Sequence, residues 1–149
     1  HSIATNLTFQ VLPEFINHLS VNKKRENEIV DEFKNKLSIK MASTEQAAGE
    51  LSGGNQQKVV ISKWLAARPK VLIMDEPTRG IDVGAKAEIY SIINELARQG
   101  MAIIMISSEL PEIINMCDNV CVIKEGVKTG EIAHLELTQE RIMKLATGV

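Results

Sequence analysis

Two short stretches of this sequence carry residues that could act on a phosphate group. The first is Ser52-Gly53-Gly54, which stands directly before a predicted helix over residues 55–67. The first amides of a helix are unpaired and lie at the positive end of its dipole, so they attract anions, and glycine lets the backbone approach closely. The residue types and their position therefore predict a phosphate-binding helix N-terminus.

The second stretch is a pair of acids, Asp75 and Glu76, which follows four apolar residues. An acid at the carboxyl end of a buried strand faces the crevice where open α/β sheets bind ligands. Asp75 is predicted to hold Mg²⁺, in part through water, and Glu76 to orient or deprotonate the water that attacks a γ-phosphate. The alternatives are a charged surface turn here and a plain glycine turn at the first stretch. Neither explains why both features occur one helix apart.

Two hydrophobic patterns predict the elements that position these stretches. Over residues 6–41 the apolar residues recur at helical spacing, most clearly over 22–37, where Asn22 is a candidate cap. Later in the chain, strands covered on both faces alternate with helices, in the order 71–74, 84–99, 101–106, 108–116 and 119–124. This order predicts a parallel sheet, with a hairpin strand over 127–132 at its edge and a last helix capped by Thr138.

The composition excludes several classes of function. The net charge of -2 offers no excess of Lys and Arg to neutralise a nucleic-acid backbone, so nucleic-acid binding is disfavoured. The longest apolar runs fall far short of the roughly 18 residues that cross a bilayer. Cys117 and Cys121 are predicted to be small packing residues in a reducing cytoplasm rather than a disulfide or a zinc site. Trp64 is predicted to lie in the core, and His18 and His134 on the surface.

Three motifs, in this order, resemble those of the ABC transporter ATPases. LSGGNQQ at residues 51–57 is similar to the signature motif of that family, LIMDEPT at 72–78 to its Walker B motif, and RGID at 79–82 to its D-loop. The NQQK variant, together with DEPTRGIDVGAK, resembles the branch that imports ribose, galactose and xylose. The ATPases of that branch carry two nucleotide-binding halves in one polypeptide. The similarity extends from about residue 3 onward and is loose before residue 50.

The resemblance implies a role for individual residues. In that family the signature loop closes over the γ-phosphate of an ATP held by the opposing nucleotide-binding half. Asp75 then becomes the Mg²⁺ ligand and Glu76 the catalytic base. Asp82 resembles the D-loop aspartate that communicates across the dimer, and it is also a candidate helix cap. The residues implied to bind the nucleotide are Ser52, Gly53, Gly54, Gln56, Asp82 and Ser108.

Two features depart from the family pattern. The Walker A loop and the Q-loop glutamine are expected upstream of His1, so the chain alone is expected neither to bind ATP tightly nor to hydrolyse it. Ser108 stands where the switch histidine of the family is expected. Serine cannot carry a positive charge or shuttle a proton near neutral pH, so the composite site is expected to turn over slowly.

Together these features predict an α/β fold, part of a P-loop NTPase domain with a mostly parallel sheet and flanking helices. A helical subdomain is predicted over 1–67, including the signature helix, and the Walker B half of a RecA-like core over 68–149. The resemblance implies ATP and Mg²⁺ as cofactors, at the cytoplasmic face of the inner membrane. The implied partners are an opposing nucleotide-binding domain, a transmembrane permease and, indirectly, a periplasmic sugar-binding protein.

Two other functions stay open at this point. The chain could be a non-hydrolysing docking or regulatory module that only completes the site of a partner. It could also belong to an ABC-type ATPase outside transport, of the DNA-repair or chromosome-structure kind. Such proteins usually carry long coiled-coil insertions, and this sequence has no basic nucleic-acid face.

Overall fold

A computed structural model describes residues 1–17 and 20–148. The chain divides into two compact units, one from His1 to Ile104 and one from Met105 onward. The predicted subdomains, 1–67 and 68–149, are defined by element type rather than by compactness and stay a prediction. His18, predicted to lie on the surface, is outside the described residues.

The first unit opens with two capped helices. Helix α1 (Ile3–Thr8) begins at Ser2, whose hydroxyl accepts a hydrogen bond from the Thr5 amide at 3.2 Å. Helix α2 (Lys23–Lys36) begins at Asn22, as predicted, and the Asn22 side chain accepts from the Arg25 amide at 3.2 Å. These bonds satisfy amides that the helix itself leaves unpaired.

A 3-10 helix and a small hairpin connect these two helices, in contrast to the uninterrupted helical pattern expected here. The 3-10 helix covers Phe9–Glu14, and β1 (Ile16–Asn17) pairs antiparallel with β2 (Ser20–Val21). Strands of two residues are too short to show an alternating pattern, which is why the sequence did not indicate them.

Helix α3 (Gly53–Ala66) is at the centre of the helical packing and contacts both α1 and α2. The predicted inner face of α2 is confirmed, because Ile29, Val30, Phe33 and Leu37 are all buried. The prediction for Trp64 is wrong, since 47% of this residue is exposed. Val60, one turn earlier, is also exposed, so the two residues form an outward stripe while Ile61 and Leu65 face the core.

After α3 the unit continues with a strand, a helix and the first part of a second strand, within which the boundary between the two units falls. Strand β3 (Val71–Asp75) and strand β4 (Ala102–Ile106) form a two-stranded sheet, and helix α4 (Val83–Arg98) connects them. The Ala102 amide donates to the Lys70 carbonyl at 3.1 Å. Gly100 follows α4 with a φ of 88°, the left-handed conformation that glycine supplies after a helix.

Strand β3 was expected to be covered on both faces, and this prediction is wrong for the structure described. Leu72 and Met74 are buried, whereas Val71 is 50% and Ile73 is 65% exposed. Strand β4 alternates in the same way, with Ile104 half exposed. A continuous apolar run indicates two covered faces, but the described residues cover only one face of this sheet.

The second unit consists of a hairpin and two helices. Helix α5 (Leu110–Met116) begins two residues later than predicted and precedes β5 (Asn119–Lys124) and β6 (Val127–Ala133). These two strands pair antiparallel through a tight turn at Glu125 and Gly126, both with positive φ. Among the described residues these strands form a two-stranded sheet, whereas the prediction placed the hairpin at the edge of a larger one.

Helix α6 (Gln139–Thr147) packs on this hairpin and is capped by Thr138, as predicted. Gly130 makes the close approach possible, because a Cβ there would lie 2.6 Å from Leu145 Cδ1.

The prediction for the cysteines is half right. Cys117 packs against the buried cluster of Val120, Val122, Ile132 and Ile142, where burial raises the pKa of its thiol, but Cys121 is exposed. His134 lies on the surface, as predicted.

Candidate functional site

The predicted phosphate-binding segment lies at the N-terminus of α3. The helix begins at Gly53, two residues earlier than predicted, so Gly53 and Gly54 supply amides of its first turn. Among the described residues no side chain caps this turn, whereas Ser2, Asn22, Asp82 and Thr138 cap α1, α2, α4 and α6. Ser52 is exposed beside these amides. Gly53 is also exposed, whereas Gly54 is buried. A helix N-terminus without a side-chain cap fits a phosphate group.

Two amide side chains hold the loop that leads into α3. Asn55 donates from Nδ2 to Ser52 Oγ at 2.9 Å and accepts from the Lys40 amide at 2.8 Å. Gln56 donates from Nε2 to the Leu51 carbonyl at 2.7 Å. The sequence assigned Gln56 to the nucleotide and missed Asn55. In the structure the side-chain amide nitrogens of both residues donate hydrogen bonds within the loop. Polar residues just after a helix cap are the sequence feature that indicates such local bonds.

The two glycines also allow α3 and α4 to pack closely. A Cβ at Gly54 would lie 2.6 Å from the Cβ of Ala85, and one at Gly53 would lie 3.1 Å from Ile81 Cγ2. The approach of a ligand was the predicted reason for these glycines, and the structure adds the packing of two helices as a second. The packing brings residues 52–54 against the segment 80–85.

Asp75 and Glu76 follow β3 in the same compact unit. Asp75 is the last residue of the strand and is exposed, and Glu76 is half-buried with a φ of 47°. The Arg79 amide donates to the Glu76 carbonyl at 3.2 Å and closes a turn over the buried Pro77 and Thr78. A left-handed backbone at a residue other than glycine costs about 1–3 kcal/mol and is concentrated at functional sites.

These carboxylates do not form a metal site by themselves. No group of three or more His, Cys, Asp or Glu side chains in the described part of the chain could hold a metal ion. Mg²⁺, however, usually binds proteins through one or two carboxylates and completes its shell with water and phosphate oxygens. The exposed carboxylate of Asp75 therefore fits Mg²⁺ only together with a phosphate ligand.

Lys58 and Glu88 join the helices behind the glycine contact, and the sequence analysis missed both. Lys58 is only 4% exposed, and its Nζ lies 2.7 Å from Glu88 Oε2 and 3.2 Å from the Ser38 carbonyl. The hydrogen bond and the charge of Lys58 lower the pKa of Glu88. The sequence feature that could have indicated this ion pair is a lysine within the apolar stripe of α3, three residues before Ile61.

Asp82 and Ser108 complete the set of predicted residues. Asp82 caps α4, as predicted, and accepts from the Ala85 amide at 3.0 Å. Ser108 belongs to the second unit, where it is exposed just before α5. The neighbouring Ser107 hydroxyl accepts from the Glu109 amide at 3.0 Å. Seven of the eight predicted site residues thus lie in the first unit.

A sequence profile described as ABC transporter matches residues 2–79, which include the signature and Walker B stretches. The chain belongs to the ABC transporter family. It is 57% identical over 147 residues to the ribose import ATP-binding protein RbsA of Bacillus subtilis. It is also 51% identical over 144 residues to the protein of that name from Yersinia pestis. These matches cover 99% and 97% of the chain but only 30% and 28% of the relatives, so the chain spans less than a third of their length.

Solved structures of ABC transporters confirm the predicted fold class. A metal-chelate type ABC transporter in an inward-facing conformation aligns with a TM-score of 0.84 at 15% identity, over 100% of this chain and 59% of that one. The protein cbiO1 of Clostridium perfringens, part of an ABC transporter complex, aligns with a TM-score of 0.73 at 26% identity, over 95% and 55%. No described helix is both long and apolar enough to cross a membrane.

Proposed function

We propose that this chain forms the signature and Walker B part of an ATP-binding subunit that couples ATP hydrolysis to the import of ribose. The observation that carries the proposal is the N-terminus of α3, which has no side-chain cap among the described residues and is packed at Gly53 and Gly54 against the segment 80–85. Asp75 and Glu76 lie in the same compact unit. The relatives named as ribose import ATP-binding proteins support the sugar.

Each motif has a separate task in this proposal. The amides of Gly53 and Gly54 and the hydroxyl of Ser52 donate to the γ-phosphate of an ATP held by an opposing nucleotide-binding domain. Bound Mg²⁺ neutralises phosphate charge and is held through Asp75. The Glu76 carboxylate accepts a proton from the attacking water, and its constrained backbone fixes the direction of the side chain.

The proposal also includes partners and a location. An opposing nucleotide-binding domain holds the ATP over which residues 52–54 close, a membrane permease receives the conformational change, and a periplasmic sugar-binding protein delivers the sugar. The subunit acts at the cytoplasmic face of the inner membrane. The sequence of this chain has no G-x-x-x-x-G-K-[ST] loop, so in the proposal the nucleotide at Asp75 and Glu76 is held by a P-loop outside these residues.

Replacement of Glu76 tests the catalytic part of the proposal. In a full-length ATP-binding protein that contains this chain, assembled with its permease, Glu76→Gln is expected to lower ATP turnover at the composite site that Glu76 serves about 100-fold or more, because the general base is lost. Binding of Mg-ATP is expected to persist, since the phosphate contacts remain. Turnover is measured as phosphate release, and binding by equilibrium titration.

The matched control is Glu125→Gln, because Glu125 also has a left-handed backbone, with a φ of 49°, but lies in the β5–β6 turn. Its turnover is expected to stay at the wild-type level. In the same assay Ser108→His is expected to increase turnover, because it restores a group that can carry a proton. Equal turnover in wild type and Glu76→Gln would reject the catalytic role and favour a docking module instead.

A further inference from the structure

Two successive turns of α3 contact two successive turns of α4. At the first turns, Gly54 leaves room for Ala85, with only 2.6 Å between the Ala85 Cβ and a Cβ placed on Gly54. One turn further along each helix, Lys58 Nζ contacts Glu88 Oε2 at 2.7 Å. The spacing is four residues on α3 and three on α4, so both contacts lie on facing sides of the two helices.

The ion pair joins a buried lysine to a glutamate whose side chain is 53% exposed. Surface pairs contribute little, because solvent screens them and both side chains lose freedom. Lys58, however, is only 4% exposed, and its ammonium group also donates to the Ser38 carbonyl at 3.2 Å. A buried ammonium group must keep its partners, since an unpaired buried charge is strongly unfavourable. The pair therefore fixes where α4 lies along α3.

The register of these helices sets the geometry of both phosphate-side segments. Gly53 and Gly54 are the first residues of α3, and Asp82 caps the first turn of α4. Ile81 packs beside Gly53, since a Cβ placed on Gly53 would lie 3.1 Å from Ile81 Cγ2. A shift of α4 along α3 would move Ile81 and Asp82 away from the amides that face the phosphate.

We propose that Lys58 and Glu88 are positioning residues, whose ion pair holds the signature glycines and the segment Gly80-Ile81-Asp82 in one fixed arrangement. This inference rests on the proposed function, because the consequence for turnover requires that the glycines bind phosphate. Neither residue touches the nucleotide in this proposal. Lys58 and Glu88 affect turnover only by setting the position of α4 along α3.

Glu88→Gln tests the inference in the full-length protein assembled with its permease. Loss of the carboxylate charge is expected to lower kcat about tenfold and to change KM for ATP less than twofold, since the signature loop closes on a nucleotide that the opposing domain already holds. Amide hydrogen exchange is expected to become faster at residues 53–54 and 81–82 together. Lys58→Arg, which keeps the charge, is expected to retain most of the turnover, and Lys58→Met is not.

The matched control is Glu95→Gln, the same chemical change on the same helix. The partners of Glu95, Arg98 at 2.8 Å and Gln99 at 2.9 Å, also lie on or just after α4, so α3 is not involved. This variant is expected to leave kcat and exchange at 53–54 unchanged. A mere loss of helix stability would affect both variants alike.

Two results would overturn the inference. One is faster exchange with an unchanged kcat, which would make the pair purely structural. The other is unchanged exchange at 53–54 or 81–82 in Glu88→Gln. If the wild-type protein showed no ATP turnover, the proposed function would fail, while a joint rise in exchange at both segments would still support the fixed arrangement.

Discussion

At the scale of single residues, two buried hydroxyl groups have opposite surroundings. Thr8 Oγ1 donates to the Ala4 carbonyl at 2.8 Å and lies 3.5 Å from Glu26 Oε1. Ser62 Oγ is fully buried in α3 and has no hydrogen-bond partner among the described residues. An unsatisfied buried hydroxyl costs free energy that an apolar side chain of similar size does not.

Ser62→Ala is therefore expected to leave the free energy of unfolding unchanged or to raise it by about 1 kcal/mol. The matched variant Thr8→Val, which removes a satisfied hydroxyl, is expected to lower it by about 1 kcal/mol. Urea unfolding, monitored by far-UV circular dichroism, measures both. A loss of stability in Ser62→Ala comparable to that in Thr8→Val would show that the Ser62 hydroxyl is satisfied.

Two separate requirements, the approach of a ligand and the packing of a neighbouring helix, both favour glycine at position 54. The sequence indicated a glycine that lets a phosphate approach, and this role stays a prediction. The structure shows that Ala85 occupies the space where a side chain at this position would lie. The second demand could not be read from the sequence, because it depends on a residue of another helix.

At the scale of secondary-structure elements, the contact between α3 and α4 depends on the charge of Glu88. Its pKa is lowered by the hydrogen bond from Lys58 and by the charge of that lysine, while Lys40 lowers it further and Asp82 opposes the shift. A carboxyl group whose pKa is lower in the folded state contributes stability above its ordinary pKa of 4.5. That contribution is lost as the pH falls through the folded-state value.

The pH dependence of stability tests this sign. The wild type is expected to be more stable than Glu88→Gln at pH 7, and the difference is expected to be constant down to about pH 5.5. Below about pH 4.5 it is expected to shrink, because protonation of Glu88 removes the charge that the substitution also removes. Urea unfolding of both proteins across this pH range gives the two profiles. A difference of the same size at pH 3 and pH 7 would contradict the assignment.

Most elements of this chain could be predicted because their signals are local. The caps of α2, α4 and α6 at Asn22, Asp82 and Thr138 depend on hydrogen bonds that span three residues. The tight turn at Glu125-Gly126 is equally local. Trp64 was placed wrongly because an apolar residue on a helix does not reveal whether another element covers it.

At the scale of the whole molecule, the chain carries the signature and Walker B residues of the proposed phosphate site but no P-loop. Gly53 and Asp75 are exposed, no side chain among the described residues caps the first turn of α3, and no G-x-x-x-x-G-K-[ST] loop occurs in the 149 residues. A single exposed helix N-terminus stabilises an anion by only about 0.3–1 kcal/mol. Tight binding of a nucleotide therefore needs donors from another domain.

The chain of residues 1–149 by itself is accordingly expected to show no micromolar binding of Mg-ATP and no measurable hydrolysis. Isothermal titration calorimetry with Mg-ATP measures the first and phosphate release the second. A full-length protein that contains the chain is the positive control. Micromolar affinity of the chain alone would contradict the assignment of the missing contacts to a P-loop elsewhere.

The sequence by itself determined the family, the capped helices and the candidate functional residues, because each depends on short motifs or on neighbours within a turn. Only the tertiary structure decided that Gly54 accommodates Ala85, that Lys58 is buried against Glu88 and that one face of β3 is exposed. Lys58 and Glu88 are about thirty residues apart in the chain. Their contact results from the packing of two helices, and no periodicity within either helix specifies its partner.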